Sequence, residues 1–191
     1  MRLIYKKVFS LRVIGVDPGL RHTGWGVVEF KNNKIFHIAD GSISPLTKLD
    51  DGKRLLEIKN QLQKMINQFK PNMSVIEKTF VGSGSASSLK LGMARGASMI
   101  ALAEAGLTIK EISPKFVKKT VTGYGSASKE QIKSMIEKLL NIVPRNEDSA
   151  DALAIAISGQ NIDYNDNFVF SDKNNGLNLA INRALLKEQN K

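Results

Sequence analysis

Short apolar runs rich in β-branched residues stand near the start of the chain, at Leu11 to Val16, Gly24 to Phe30 and Lys34 to Ile43, and each reads as a β-strand. Asp17-Pro18-Gly19 and Lys31-Asn32-Asn33 supply turn chemistry between them. Connections that short predict an antiparallel meander. The period then changes: Leu55, Ile58, Leu62, Met65, Ile66 and Phe69 recur at helical spacing against Lys53, Arg54, Lys59, Gln63 and Lys64, and Pro71 closes the segment. That is one amphipathic helix packed on a sheet. A strand ending at Glu77 follows, then a small-residue loop from Val81 to Ser88, a second helix to about Gly106, and a strand from Leu107 to Ile112. Ser128 and Gln131 form a capping box ahead of Ile132, Met135, Ile136, Leu139 and Leu140, and an acid-headed helix runs from about Glu147 to Ser158. A meander followed by strand and helix in alternation predicts a mixed-sheet α/β domain.

The pattern also divides the chain. Residues 1–10 form a basic extension, 11–160 carry the periodic segments, and 161–191 form a polar tail. The tail is asparagine-rich and without periodicity until Leu177, Leu179, Ala180, Ile181, Leu185 and Leu186, a candidate short helix; it is expected to be mobile or ordered only on binding. At 191 residues the chain suits one domain, long enough to bury roughly 70% of the surface its unfolded form exposes.

Charge changes the picture more than length does. With 28 Lys and Arg against 18 Asp and Glu, the formal net charge is +10, which suits a polyanionic partner such as nucleic acid. Cysteine is absent, so disulfides and thiolate metal sites are excluded. The leader carries Arg2, Lys6 and Lys7, but Arg12 interrupts the apolar stretch after it and Asp17 follows without a cleavage pattern, so a cytoplasmic protein is expected. No apolar run approaches the ~20 residues that span a bilayer.

The candidate chemistry lies in acids at the ends of apolar segments. Val13-Ile14-Gly15-Val16 runs into Asp17, Met73-Ser74-Val75-Ile76 runs into Glu77, and Asp148 and Asp151 head a helix that continues as Ala152-Leu153-Ala154-Ile155-Ala156. A carboxylate beside a core strand is disfavoured by desolvation, and several close together repel, so an uncompensated cluster becomes partly neutral. A divalent cation reverses that balance. The donors are hard oxygens with neither Cys nor paired His nearby, which points to magnesium or manganese rather than zinc. Two such ions can activate a water and stabilise the leaving oxygen of a phosphodiester. Each acid also has a plainer reading: Asp17 opens a turn, Glu77 caps a loop, and Glu147 and Asp148 complement a helix N-terminus. Asp151 fits that last explanation less well, because it sits a turn in and shares a helix face with Asp148.

Other features carry weaker signals. Lys115, Lys118, Lys119, Lys129 and Lys133 make the densest basic region, flanking Gly123-Tyr124-Gly125; its plain reading is a solvated helix face. Phe80, at the edge of a Gly/Ser-rich loop, is placed either to stack on an unpaired base or to pack under its own loop. Gly92 and Gly96, inside the second helix, each cost ~1 kcal/mol relative to Ala, so close backbone approach is expected there, either to the sheet or across a symmetric dimer contact with Leu89, Met93, Met99 and Ile100. His22 and His37 are isolated, with no role beyond surface or strand positions.

Five segments in order, Gly15-Val16-Asp17-Pro18-Gly19 with Thr23-Gly24-Trp25-Gly26-Val27, Ile76-Glu77-Lys78-Thr79-Phe80, Leu89-Lys90-Leu91-Gly92-Met93-Ala94-Arg95-Gly96, Val121-Thr122-Gly123-Tyr124-Gly125-Ser126-Ala127, and Asp148 to Ala156, together resemble the RuvC family of Holliday-junction resolvases, nucleases of the ribonuclease H-like superfamily. The resemblance covers roughly residues 11 to 158. It implies a ribonuclease H-like mixed sheet with helices on both faces, and a homodimer that binds a four-way DNA junction and nicks two strands of like polarity with magnesium, manganese being able to substitute. The products would carry a 3′-hydroxyl and a 5′-phosphate, and a branch-migration motor would be a partner. It implies further that Asp17, Glu77, Asp148 and Asp151 are the catalytic metal ligands, with Asp17 bridging and Asp148 either a ligand or a base, and that Lys118 and Lys129 contact phosphates near the cut.

Three rivals remain at this point. The turn from Asp17 to Val27 resembles the first phosphate loop of actin-like and sugar-kinase-like ATPases, but those need a second, duplicated domain that this length does not hold. A junction-binding adaptor without catalysis would be expected to lack an acid, and a related nuclease could act on branched RNA.

Overall fold

The computed structural model describes residues 10–78 and 86–160. Ser10–Asp17 forms β1, Thr23–Lys31 β2 and Lys34–Ile43 β3, and these pair as the antiparallel meander that the turn residues predict. Asn32 and Asn33 both adopt positive φ, the tight two-residue hairpin geometry that asparagine tolerates. Asp51–Phe69 forms α1, capped by Asp50, and its chain returns through Met73–Glu77, β4, which lies parallel to β1. Ala86–Glu104 forms α2 and leads to β5, Thr108–Ile112, parallel to β4, so the sheet order is β3-β2-β1-β4-β5. Pro114–Thr122, Lys129–Leu140 and Glu147–Ser158 form α3, α4 and α5.

Period-two alternation assigns the sheet's faces. Val13, Val28, Met73 and Val75 point into one core with α3, α4 and α5, while Ile14, Val16, Val27 and Ile76 point into the other with α1 and α2. On the second face Ile58, Leu62 and Ile66 of α1 are buried, each worth roughly 1.5–3 kcal/mol, and Trp25 stacks on Phe69 with ring centroids 5.7 Å apart. Helices on both faces of a mixed sheet match the expected ribonuclease H-like architecture.

α5 lies directly on the strands because the residues beneath it have almost no side chain. A Cβ on Gly15 would stand 2.2 Å from the carbonyl oxygen of Ala152 and 2.4 Å from the amide of Ala156. A Cβ on Gly24 would stand 2.1 Å from the carbonyl of Asp148, and one on Gly26 would run into Leu153. The helix therefore crosses from β2, where its acidic head rests, towards β1 and β4, where Gly159 abuts Val75 and Val13.

Two features differ from expectation. α3 is a helix that periodicity did not reveal, although its boundary chemistry is present: Ser113 caps it, Pro114 occupies the first turn, and Gly123 ends it at φ 83°. Gly92 and Gly96 do not serve packing on the sheet, since a Cβ on either meets nothing within 4 Å. Their face of α2, with Leu89, Met93 and Ile100, is exposed, while Ala94, Ala97, Ala101 and Leu102 face inward. Phe80, most of the small-residue loop before α2, the basic extension and the tail with its candidate helix lie outside the described residues.

Gly15→Ala should cost ~3–5 kcal/mol of folding stability, because the new methyl group would overlap the α5 backbone at both Ala152 and Ala156, which has no flexible side chain to move aside. Urea unfolding of the variant beside the parent measures this; a loss under about 1 kcal/mol would mean that α5 can lift off the sheet.

Candidate active site

The strand alternation that buries Val13 and Val75 carries Asp17 and Glu77 onto the same face, at the C-terminal ends of adjacent parallel strands. Val16 pairs with Ile76, and each acid is the next residue along. Across the other neighbour, Asp17 pairs with Gly24, and it is over Gly24 that the Asp148 backbone rests. Asp148 lies in the first turn of α5 and Asp151 one turn on, on a helix held at its start by a capping box between Asn146 and Ser149. One sheet edge thus gathers all four predicted acids, because β1 and β4 end together and α5 begins above them.

Their electrostatics follow from that placement. Burial, then the negative charges of Glu77, Asp151 and Asp148, push the Asp17 carboxyl up to about 7, against the opposing pull of Lys129. Burial and Asp151 also raise Glu77, with Lys129 and Lys118 opposing. Asp151 is raised mainly by burial, and the Lys129 ammonium beside it, 3.4 Å from a carboxylate oxygen, counteracts this. Lys129 is raised in turn by Asp151. Two of the five clustered lysines, one at the start of α4 and one on α3, therefore act on the acids.

The residues fit a divalent cation by chemistry and by charge: every donor is a hard oxygen, and the charges of Lys129 and Lys118 leave the carboxyls of Asp17 and Glu77 still raised. Among the described residues, no three acidic or imidazole groups already stand close enough to enclose an ion, so side-chain rotation would have to bring the carboxylates together.

Sequence reasoning missed the residues that hold this edge in place. Arg95 donates from Nε to the backbone carbonyl of Glu77 at 3.3 Å and pairs with Glu111, tying the end of β4 to α2 and β5. His37 is not isolated: its Nε2 lies 2.9 Å from Oδ1 of Asp40, a carboxylate that is almost wholly buried. His22 meets the Ser44 hydroxyl at 2.8 Å. Contacts between residues far apart in the chain leave no periodic signal; an acid within a strand facing the core was the available clue to Asp40.

Comparison with known proteins decides the family. The family model described as crossover junction endodeoxyribonuclease RuvC matches residues 13–159. The chain belongs to the RuvC family. A crossover junction endodeoxyribonuclease RuvC from Ruegeria pomeroyi is 45% identical over 148 residues, spanning 77% of this chain and 89% of that protein. Among solved structures, T. thermophilus RuvC, in complex with Holliday junction substrate, superposes with a TM-score of 0.72 at 30% identity, covering 78% of this chain and 92% of that one. The yeast mitochondrial Holliday junction resolvase Ydc2 shares the fold, with a TM-score of 0.57 at 13% identity over 94% of this chain and 86% of its own. The ribonuclease H-like fold expected from the resemblance is thus the fold of RuvC. Among the described residues, no helix is long and apolar enough to cross a membrane.

The raised carboxyls predict the pH dependence of the metal-free protein. Folded Asp17 keeps its proton up to about pH 7, whereas an ordinary carboxyl releases it near 3.8, so the folded state is favoured at low pH and loses that advantage as pH rises through this window. Asp17→Asn should remove most of this fall and, near pH 8 in chelator, stabilise the protein by up to about 4 kcal/mol. Melting temperatures of both proteins across pH check it; parallel curves would show that burial and neighbouring charge do not hold the Asp17 carboxyl above its ordinary value.

Proposed function

We propose that this RuvC-family endonuclease resolves four-way DNA junctions by magnesium-dependent nicking of two strands of like polarity. The observation that supports this most is the gathering of Asp17, Glu77, Asp148 and Asp151 at one sheet edge, with Asp17 raised to about 7 by burial and by the other three. A carboxylate cluster of that kind is unfavourable for a protein that folds and does nothing with it, which favours an enzyme over an adaptor.

In this reading Asp17, on β1 between Glu77 of β4 and the head of α5, would hold the metal together with Glu77, Asp148 and Asp151. Magnesium held there would supply activation of a water and charge neutralisation at the leaving oxygen. The water oxygen attacks phosphorus, the bond from phosphorus to the 3′-oxygen breaks, and that oxygen takes up a proton, which leaves a 3′-hydroxyl and a 5′-phosphate. Asp148, at the exposed head of α5, is placed either to bind metal or to take a proton from the water. Lys129 and Lys118, whose charges already reach the acids, would hold the phosphate beside them. Phe80 remains a candidate for stacking at the junction centre, and a branch-migration motor a partner, both by resemblance.

A second copy of the chain would dock on the exposed stripe of α2, where Leu89, Gly92, Met93, Gly96 and Ile100 recur at helical spacing and the glycines permit close backbone approach. Two copies related by a twofold axis would place two sites on one junction.

Asp17→Asn should bind a labelled four-way junction with affinity near the parent's and cut it at least about 100-fold more slowly, as the loss of one charged ligand disables the chemistry and leaves the basic surface. The assay compares both proteins on junction and matched linear duplex, with magnesium or chelator. Paired magnesium-dependent nicks confined to the junction support the proposal, while equal cutting of duplex overturns it. Ile100→Lys should shift the protein from dimer to monomer in sedimentation velocity with the melting curve of the monomer intact; an unchanged dimer would move the interface elsewhere.

A further inference from the structure

α5 carries two of the four acids, yet the segment leading into it is held by a buried acid from the opposite edge of the sheet. Asp40 is 3% exposed. One of its oxygens, Oδ2, accepts the backbone N–H of Arg145 at 2.9 Å, and the other lies 2.9 Å from Nε2 of His37. Two residues along β3, the Ser42 hydroxyl accepts from the side-chain amide of Asn146 at 2.8 Å, and Asn146 is the residue that caps α5. Asp148 follows two positions later.

The strand is built to allow this. Residues three apart on a regular strand face opposite ways, so His37 and Asp40 should not meet. Val27 pairs with Ala39 but Val28 pairs with His37, which makes Ile38 an extra residue, a β-bulge. The bulge shifts the alternation by one and turns both side chains to a single face. Asp40 pairs with Gly26 and Ser42 with Gly24, the two glycines on which α5 rests, so that face is the one that carries the helix. A bare carboxylate with this little exposure is costly unless its lone pairs are used, and here they are used on a loop amide and on the ring that orients the carboxylate.

We infer that Asp40, oriented by His37 and assisted by Ser42, is a positioning residue of the reaction: it fixes the 145–146 backbone, and so sets where Asp148 and Asp151 stand over Asp17. The inference rests on the reading of those acids as the reacting site. Glycines beneath α5 let it lie against the strands but supply no side chain to fix its head laterally, and the Asp40 and Ser42 bonds tie the segment entering that head to β3. Asp40, almost wholly buried, would act through the 145–146 backbone rather than by contact with substrate.

The test uses the full chain with Asp40→Ala, Asp40→Asn and Ser42→Ala, and reads amide hydrogen exchange in metal-free protein, junction affinity in chelator, and single-turnover nicking in magnesium. In Asp40→Ala, exchange over 145–150 should accelerate at least about tenfold while β1 and β4 keep the parent's protection. Junction affinity should stay within about twofold, and nicking should slow about 10- to 100-fold, because misplacing catalytic groups by an ångström costs rate rather than binding. Asp40→Asn, which still offers an oxygen to Arg145, should recover nicking to within about threefold. Parent-like exchange or parent-like nicking in Asp40→Ala overturns the inference, as does Asp40→Asn behaving like Asp40→Ala. Should Asp40→Ala not fold, Ser42→Ala decides: faster exchange at 145–150 with slower nicking supports the role, and no change in either refutes it. If the parent itself does not nick junctions, the functional reading fails, and the exchange arm alone judges whether Asp40 holds the head of α5.

Discussion

Backbone-to-backbone contact between α5 and the sheet is the constraint on which the rest of this structure depends. Most helices stand about one side-chain layer away from the strands they cover. Here Gly15 and Gly24 remove that layer, so strand and helix backbones meet directly. The head of α5, with Asp148 and Asp151, is thereby brought down beside the strand end that carries Asp17, whose carboxyl feels both charges. Had alanine or valine occupied those positions, the helix would stand further off the strands and its acids further from Asp17. α3 and α4 complete the core on that face by packing Val117, Val121, Ile132, Met135 and Ile136 together with the helix.

The two faces of the sheet accordingly do different work. The face under α1 and α2 is a conventional core of large apolar side chains, anchored by Ile14, Ile58, Leu62, Ile76 and Leu102, and it makes the molecule stable. The opposite face gives up volume for proximity at one end. Arg95 joins the two, since it belongs to α2 yet bonds to the backbone of Glu77, so the packing of the stable face reaches the strand end that carries an acid.

Much of this was legible in the sequence, and the physical reasons are local. Apolar periodicity and turn residues marked the meander, α1, β4 and β5, and the acids announced themselves because ionisable groups at the ends of buried segments need an explanation. What stayed hidden depends on contacts between distant segments. α3 is short and its lysines obscure its period, leaving only Ser113, Pro114 and Gly123 as signals. Asp40 and Arg145 are far apart in the chain, and the bulge that turns Asp40 inward has no residue signature at Ile38. Gly92 and Gly96 were recognisable as unusual, but which neighbour they approach depends on the direction in which α2 faces, which composition does not give.

The extra residue at Ile38 has a consequence for how this chain tolerates change in length. β3 is really two strand halves in different phases, an outer half near the Asn32-Asn33 tip and an inner half from Ala39 onward, with the bulge as an expansion joint between them. An insertion or deletion at the tip shifts the outer half against β2, and the joint can absorb the mismatch before it reaches Asp40 and Ser42. Within the inner half there is no such slack: one residue gained or lost between Ala39 and Ile43 would turn Asp40, Ser42 or both to the wrong side of the sheet. Changes of length are thus better borne at the hairpin tip than in the segment behind it.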